Sequence, residues 1–192
     1  MKTNKVNNNK SWIIASVGSA IGLIASFIQT IERISYADQP LKALTCDINS
    51  IFSCSSVFDG WQSSFFGFSN SIMSLTFFAV VFGVSISGVT GSIINKYLRY
   101  VMHFFSVFFL AFGAWYLHQT VYAIGALCIF CIFIYSGVIL LNWAFLRINI
   151  NDLVKSPQLN TKFHKLMVSG ADTFLWVLWA LIMFIVLANK YI

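Results

Sequence analysis

Charged residues are scarce in this sequence: they make up 9% of its 192 residues, where soluble domains carry about 25%. Only six are acidic. Such a deficit excludes an ordinary globular surface, which has to face water. Also missing are an internal repeat, a low-complexity tract beyond the Asn-rich leader, and any sign of a second, soluble domain. No clear small-x-small cleavage site follows the first apolar run, so that run is expected to persist as a span rather than act as a removable signal peptide. What the chain has in quantity is apolar surface: 58% of residues are hydrophobic and 17% aromatic, with 20 Phe. A helix needs about 20 consecutive apolar residues to cross a bilayer core. The chain offers several such runs, and the expected fold class is an all-α integral membrane protein forming a single membrane domain.

Five spans are predicted, at about 12–31, 70–90, 100–122, 126–145 and 172–188. The largest polar segment is 32–69, and a second hydrophilic stretch lies at 147–165. The formal net charge of +6 does not point to nucleic acid, because the basic residues flank the apolar runs instead of forming one patch. With the N-terminus in the cytoplasm, Lys2, Lys5, Lys10, Lys96, Arg99, Arg147, Lys155, Lys162 and Lys165 fall on the inner side, and Arg33, Lys42 and Lys190 on the outer side. Positive-inside bias therefore puts the segment 32–69 and the C-terminus outside. Trp12, Trp115, Tyr116, Trp143 and Trp176 sit near span ends, as interfacial aromatics do.

The four cysteines are Cys46, Cys54, Cys128 and Cys131. On this topology the first two lie in the large outer loop and the second two near the outer end of the fourth span, all at the oxidising face. Cys128-Ile129-Phe130-Cys131 places two sulfurs on one helical face, close enough to form a small disulfide. A helix N-terminus favours a thiolate there, which suits exchange more than permanent cross-linking. Zinc would ask for four Cys or His ligands, and haem attachment for a His where Ile132 stands. Plainer readings stay open: two coincidental buried thiols in the span, and a static disulfide in the loop. The joint layout favours redox exchange, with a loop pair exposed to soluble thiols and a helical pair at the membrane edge. Val57, Phe58, Trp61, Phe65 and Phe68 recur at helical spacing, which predicts a short helix lying flat in the interface, its apolar face down over a pocket among the spans.

These residues resemble the vitamin K epoxide reductase family. The stretch from Cys46 through Cys54 to Phe58 looks like that family's loop-cysteine motif, Phe68-Ser69-Asn70-Ser71 like its second signature, and Cys128 to Cys131 with Tyr135 one turn later like its third. The cysteine order differs from that of DsbB-type oxidases. The resemblance implies a four-helix bundle around a quinone of ubiquinone or menaquinone type, with a fifth, peripheral helix. It implies that Cys46 takes electrons from a separate thioredoxin-like or DsbA-like partner, that Cys54 exchanges with Cys128, and that Cys131 faces the quinone. Asn70 and Tyr135 would hydrogen-bond its carbonyl oxygens and Phe58 would pack over its ring. The expected setting is a bacterial inner membrane, and the expected activity is thiol–quinone oxidoreduction supporting disulfide formation. Alternatives are a quinone-epoxide reductase and a non-catalytic membrane scaffold with structural disulfides. Gly60 stands where the family often has Ser, leaving Ser63 or Ser64 as substitutes, and no fused thioredoxin-like domain follows the last span. His118, near the outer end of the third span, reads as an interfacial polar residue, with a proton relay as the alternative; His103 and His164 are assigned no role.

Overall fold

A computed structural model describes residues 8–40, 43–154 and 157–190. Lys2, Lys5, Lys42 and Lys155 of the charge count lie outside the described residues. The apolar runs fold into long helices because a backbone in lipid has to satisfy its own polar groups. In chain order these are α1 (Asn8–Asp38), α2 (Cys54–Asp59), α3 (Asn70–Val89), α4 (Lys96–Gln119), α5 (Ile129–Leu153), α6 (Pro157–Val168) and α7 (Ala171–Ala188). A 3₁₀ turn, Trp61–Ser64, follows α2, and a π turn, Thr120–Ile124, extends α4. Five of these helices are long and apolar enough to cross a membrane: α1, α3, α4 with its π turn, α5 and α7. Their outward faces carry Ile24, Phe27, Phe104, Phe105, Phe174 and Phe184, exposed as lipid-facing side chains are.

Contacts are densest between α1 and α5 and between α1 and α3, with α4 packed along α5. Helices α1 and α5 run antiparallel and meet at glycines. A Cβ on Gly18 would stand 2.8 Å from Leu140 Cβ, and one on Gly137 would stand 2.7 Å from Gly18 O. Small residues at such crossings let two helix backbones approach closely in a membrane. That approach draws the last turns of α1 against the first turn of α5. Helix α7 lies apart, burying only Asp172 and Leu187 among its described residues. It is tied to α5 by the Arg147–Asp172 ion pair, 2.6 Å, and by Trp179 Nε1 donating to Tyr135 Oη at 3.1 Å.

Three details depart from the sequence reading. Helix α1 continues past 31 to Asp38, because Arg33 and Tyr36 turn its last two turns into a mount for the loop: Arg33 donates to Phe58 O (2.6 Å) and Tyr36 to Asp59 Oδ1 (2.6 Å). The hydrophilic stretch after Arg147 is mostly helical, as the end of α5 and as α6. The flat interfacial helix is two pieces broken at Gly60, whose ψ of 133° is extended. The break sends Val57 and Phe58 inward, while Trp61, Phe65 and Phe68 remain exposed. Trp61 and Phe65 pack sideways on Trp115 of α4, at 6.3 and 5.1 Å between centroids, and so do not form the lid's underside.

Candidate active site

The loop cysteines are joined, with 5.7 Å between their Cα atoms. Asp47, next to Cys46, organises this loop. Its Oδ1 accepts from the Ser53 hydroxyl and the Ser55 N–H, both at 3.1 Å, and its Oδ2 accepts from the Leu44 N–H at 3.2 Å. A carboxylate over the first turn of α2 also meets the positive end of that helix. Partial burial pushes the Asp47 carboxyl up, but the Ser55, Leu44 and Ser53 donors outweigh it and hold the group below its ordinary value. Asn49 Oδ1 accepts from the N–H groups of Ile51 and Phe52, at 2.9 and 2.8 Å, and turns the chain.

That turn delivers residues 51–53 to the segment before α5. Leu127 N–H donates to Ile51 O at 2.7 Å, and Ser53 N–H donates to Leu127 O at 3.1 Å, forming an isolated parallel bridge. On the other side, Gly125 follows the π turn at φ +84°, a left-handed conformation natural to glycine. Just beyond the bridge on each side lies a cysteine, Cys54 two residues after Phe52 and Cys128 directly after Leu127. Cys54 Sγ and Cys128 Sγ lie 3.2 Å apart.

Cys128 is the N-cap of α5, and Cys131 lies in its first turn, its N–H donating to Cys128 O at 3.1 Å. Both are free thiols and both are buried. From α1, the amide of Gln29 reaches across. Its Nε2 donates to Cys131 Sγ at 3.1 Å and to Cys128 Sγ at 3.5 Å. One chain of contacts therefore runs from Cys46 through Cys54 and Cys128 to Cys131. The expectation that the loop pair is exposed is corrected: Cys46 is 1% and Cys54 0% exposed. Leu44, Val57 and Leu127 pack around them in the same cluster.

Beyond Cys131 lies a cavity whose wall includes Gln29, Phe58, Ser63, Asn70 and Tyr135, with Phe109 and Phe112 from α4. Asn70 opens α3. Its Nδ2 donates to Gln62 O at 2.7 Å, and its buried Oδ1 has no partner. Tyr135 packs its ring against Gly113, where a Cβ would come within 2.7 Å of it. Its oxygen accepts from Trp179, so its own hydrogen is available to another acceptor. Phe58 is held from above by the Arg33 guanidinium, 5.2 Å from the ring centroid. Of the two candidate serines, Ser63 lines the cavity and donates to Phe58 O at 2.9 Å, while Ser64 accepts from Arg33 at 3.5 Å.

Gln29, Arg33, Asp47 and Trp179 were not singled out by the sequence. Gln29 carried one usable signal: it is an amide near the cysteine end of an otherwise apolar span, where a polar side chain needs a partner. Asp47 and Arg33 stood in a polar loop among many such groups, and Trp179 looked like any lipid-facing aromatic.

Comparison with known proteins agrees with the geometry. A family model described as "Vitamin K epoxide reductase family" matches residues 12–146, a stretch that covers α2, α3 and α4, most of α1 and α5, and all four cysteines. Searches of curated proteins and of solved structures returned no match. With the matched stretch spanning well over half of its length, the chain belongs to the vitamin K epoxide reductase family.

Proposed function

We propose that this protein is a membrane thiol–quinone oxidoreductase that takes two electrons from a thioredoxin-like partner and passes them, through Cys46/Cys54 and then Cys128/Cys131, to a membrane quinone. The observation that carries this reading is the 3.2 Å separation of Cys54 and Cys128, one from each pair. Thiol–disulfide exchange requires the attacking sulfur to reach the bonded one. A static loop disulfide has no use for a buried free thiol at that distance.

The relay balances as follows. With the loop pair reduced and the helical pair bonded, the Cys54 thiolate attacks Cys128. A Cys54–Cys128 bond forms, the Cys128–Cys131 bond breaks, and Cys131 leaves as a thiolate. The Cys46 thiolate then attacks Cys54, restores the loop disulfide and releases Cys128. A bonded Cys46–Cys54 pair beside two free thiols matches the end of this sequence, with two electrons held on the helical pair.

The cavity suits a quinone head. Its walls are largely apolar, and among the polar groups on them are Tyr135, with a free hydroxyl hydrogen, and Asn70, with a second amide hydrogen and an unpartnered oxygen. A quinone supplies an acceptor for two electrons and two protons. Asn70 and Tyr135 would hold its oxygens, Phe58 would cover its ring, and Cys131 would face it. Helices α1, α3, α4 and α5 would surround it, with α7 outside. We place the loop and C-terminus on the outer side of a bacterial-type inner membrane, where partner proteins are oxidised. Because Cys46 is buried, a partner thiol reaches it only after residues 44–47 open.

The test is turnover by purified protein given a reduced thioredoxin-like protein and a ubiquinone or menaquinone analogue, followed by quinone absorbance. The wild type should consume quinone, and Cys131→Ser should fall to the uncatalysed background. A wild type no faster than buffer with either quinone class would contradict the proposal, as would an active Cys131→Ser.

A further inference from the structure

A sulfur that leaves as a thiolate inside a buried, apolar site needs a donor, since an unpaired charge there is costly. The nearby guanidinium of Arg33 does not provide it. Arg33 spends its guanidinium on Phe58 O, Ser64 and the Phe58 ring. Among the described residues, the side chain outside the four cysteines that hydrogen-bonds to a sulfur of this site is Gln29, itself 5% exposed.

We propose that Gln29 is a catalytic residue of the relay, its carboxamide holding the negative charge as that charge passes between Cys131 and Cys128. This role rests on the relay described above. A carboxamide carries two N–H donors on one nitrogen, and Gln29 Nε2 lies within reach of both sulfurs, at 3.1 and 3.5 Å. The first exchange expels Cys131 as the thiolate, and the second expels Cys128. One amide can serve each in turn without moving, because both lie in the opening turn of α5 and α1 is fixed against that helix at Gly18 and Gly137. Gln29 also lines the cavity beyond Cys131, so the group that steadies the thiolate borders the space where its electrons leave. A neutral donor fits this task better than a cation. It stabilises the charged sulfur without pairing it so tightly that the thiolate stops being nucleophilic.

The test uses the full-length chain in detergent and needs neither quinone nor partner, so it stands apart from the turnover assay. In a Cys128→Ser background, with the loop disulfide intact, alkylation of Cys131 by a small neutral reagent is timed across pH. Gln29→Met keeps the length of the side chain and removes the donor. At neutral pH it should slow alkylation about ten- to a hundredfold, the scale of a hydrogen bond to a charged group. At strongly alkaline pH, where the thiol is ionised in either protein, the two rates should converge. Gln29→Glu retains size and polarity, and should be slowed at least as much at neutral pH. An unchanged neutral-pH rate in Gln29→Met would overturn the proposal. A difference that persists undiminished at alkaline pH would overturn it too, since that is the signature of altered access. Should Gln29→Met fail to fold, the Gln29→Glu profile decides by the same criteria.

Discussion

The two ends of the helix assembly are held together by different chemistry. At the end opposite the cysteines, charges of opposite sign are paired between helices: Arg99 with Asp152 at 2.5 Å, and Arg147 with Asp172 at 2.6 Å. Asn142 and Ser106 add a buried amide–backbone bond of 2.8 Å between α5 and α4. At the cysteine end, the groups around the sulfurs are neutral: Gln29, Asn70, Ser63 and Tyr135. Among the described residues, charged side chains there tie the loop to its mount: Asp47 holds the segment around Cys46, Arg33 the backbone of Phe58, Glu32 the Thr45 hydroxyl and Asp59 the Tyr36 hydroxyl. The difference teaches a division of labour. Ion pairs join the helices at one end, while the other presents neutral donors, which under the proposed relay would tolerate a bond moving among four sulfurs.

The largest way to break this comparison lies at the charged end. Arg147→Ala leaves Asp172 buried without its counter-charge, a loss of about 3–5 kcal/mol when one partner of a buried pair is removed. The unfolding transition in detergent should drop accordingly, with quinone turnover by the surviving folded fraction falling far less than it does in cysteine variants. Next comes Asn70→Ala at the cysteine end. Its stability should fall by about 1 kcal/mol, because the Nδ2 bond to Gln62 O is lost, and the quinone KM should rise about tenfold, the worth of one hydrogen bond in a dry site.

The smallest effect sharpens the comparison through pH. Asp47 has a depressed folded-state pKa. Its contribution to the loop is therefore fully present above the ordinary carboxylate value of about 3.9 and is lost as pH falls through the lower, folded value. Reduction of the loop disulfide by a water-soluble phosphine should accelerate on acidification in the wild type. Asp47→Asn should be about fivefold faster at neutral pH, near one net hydrogen bond, and should lack that acid-dependent rise.

Much of the architecture was legible in the sequence because lipid imposes long apolar runs that few other folds need. The spans at 70–90 and 172–188 lie within a residue or so of α3 and α7. The misreadings cluster where polarity and helicity part company. Hydropathy ended the first span at 31, yet Glu32 to Asp38 remain helical, since charged side chains are good helix formers and here have loop partners to bind. Helix α6 was hidden for the same reason. The interfacial helix failed at Gly60, where the run of helical spacing continued through a residue that adopts an extended ψ. Within the site, the cysteines, Phe58, Asn70 and Tyr135 were visible through the motifs they share with a family. Gln29 was not, because its contact with the sulfurs comes from α1 and α5 crossing at glycines farther along both helices, a contact that no spacing within one segment encodes.

The central claim is that a bond passes directly between Cys54 and Cys128. The most direct measurement is peptide mapping of Cys46→Ser under non-reducing conditions after oxidation by quinone. With its resolving thiol gone, the variant should stall as a Cys54–Cys128 disulfide with Cys131 free to be alkylated. Recovery of only the Cys128–Cys131 disulfide, with Cys54 unlinked, would contradict the account.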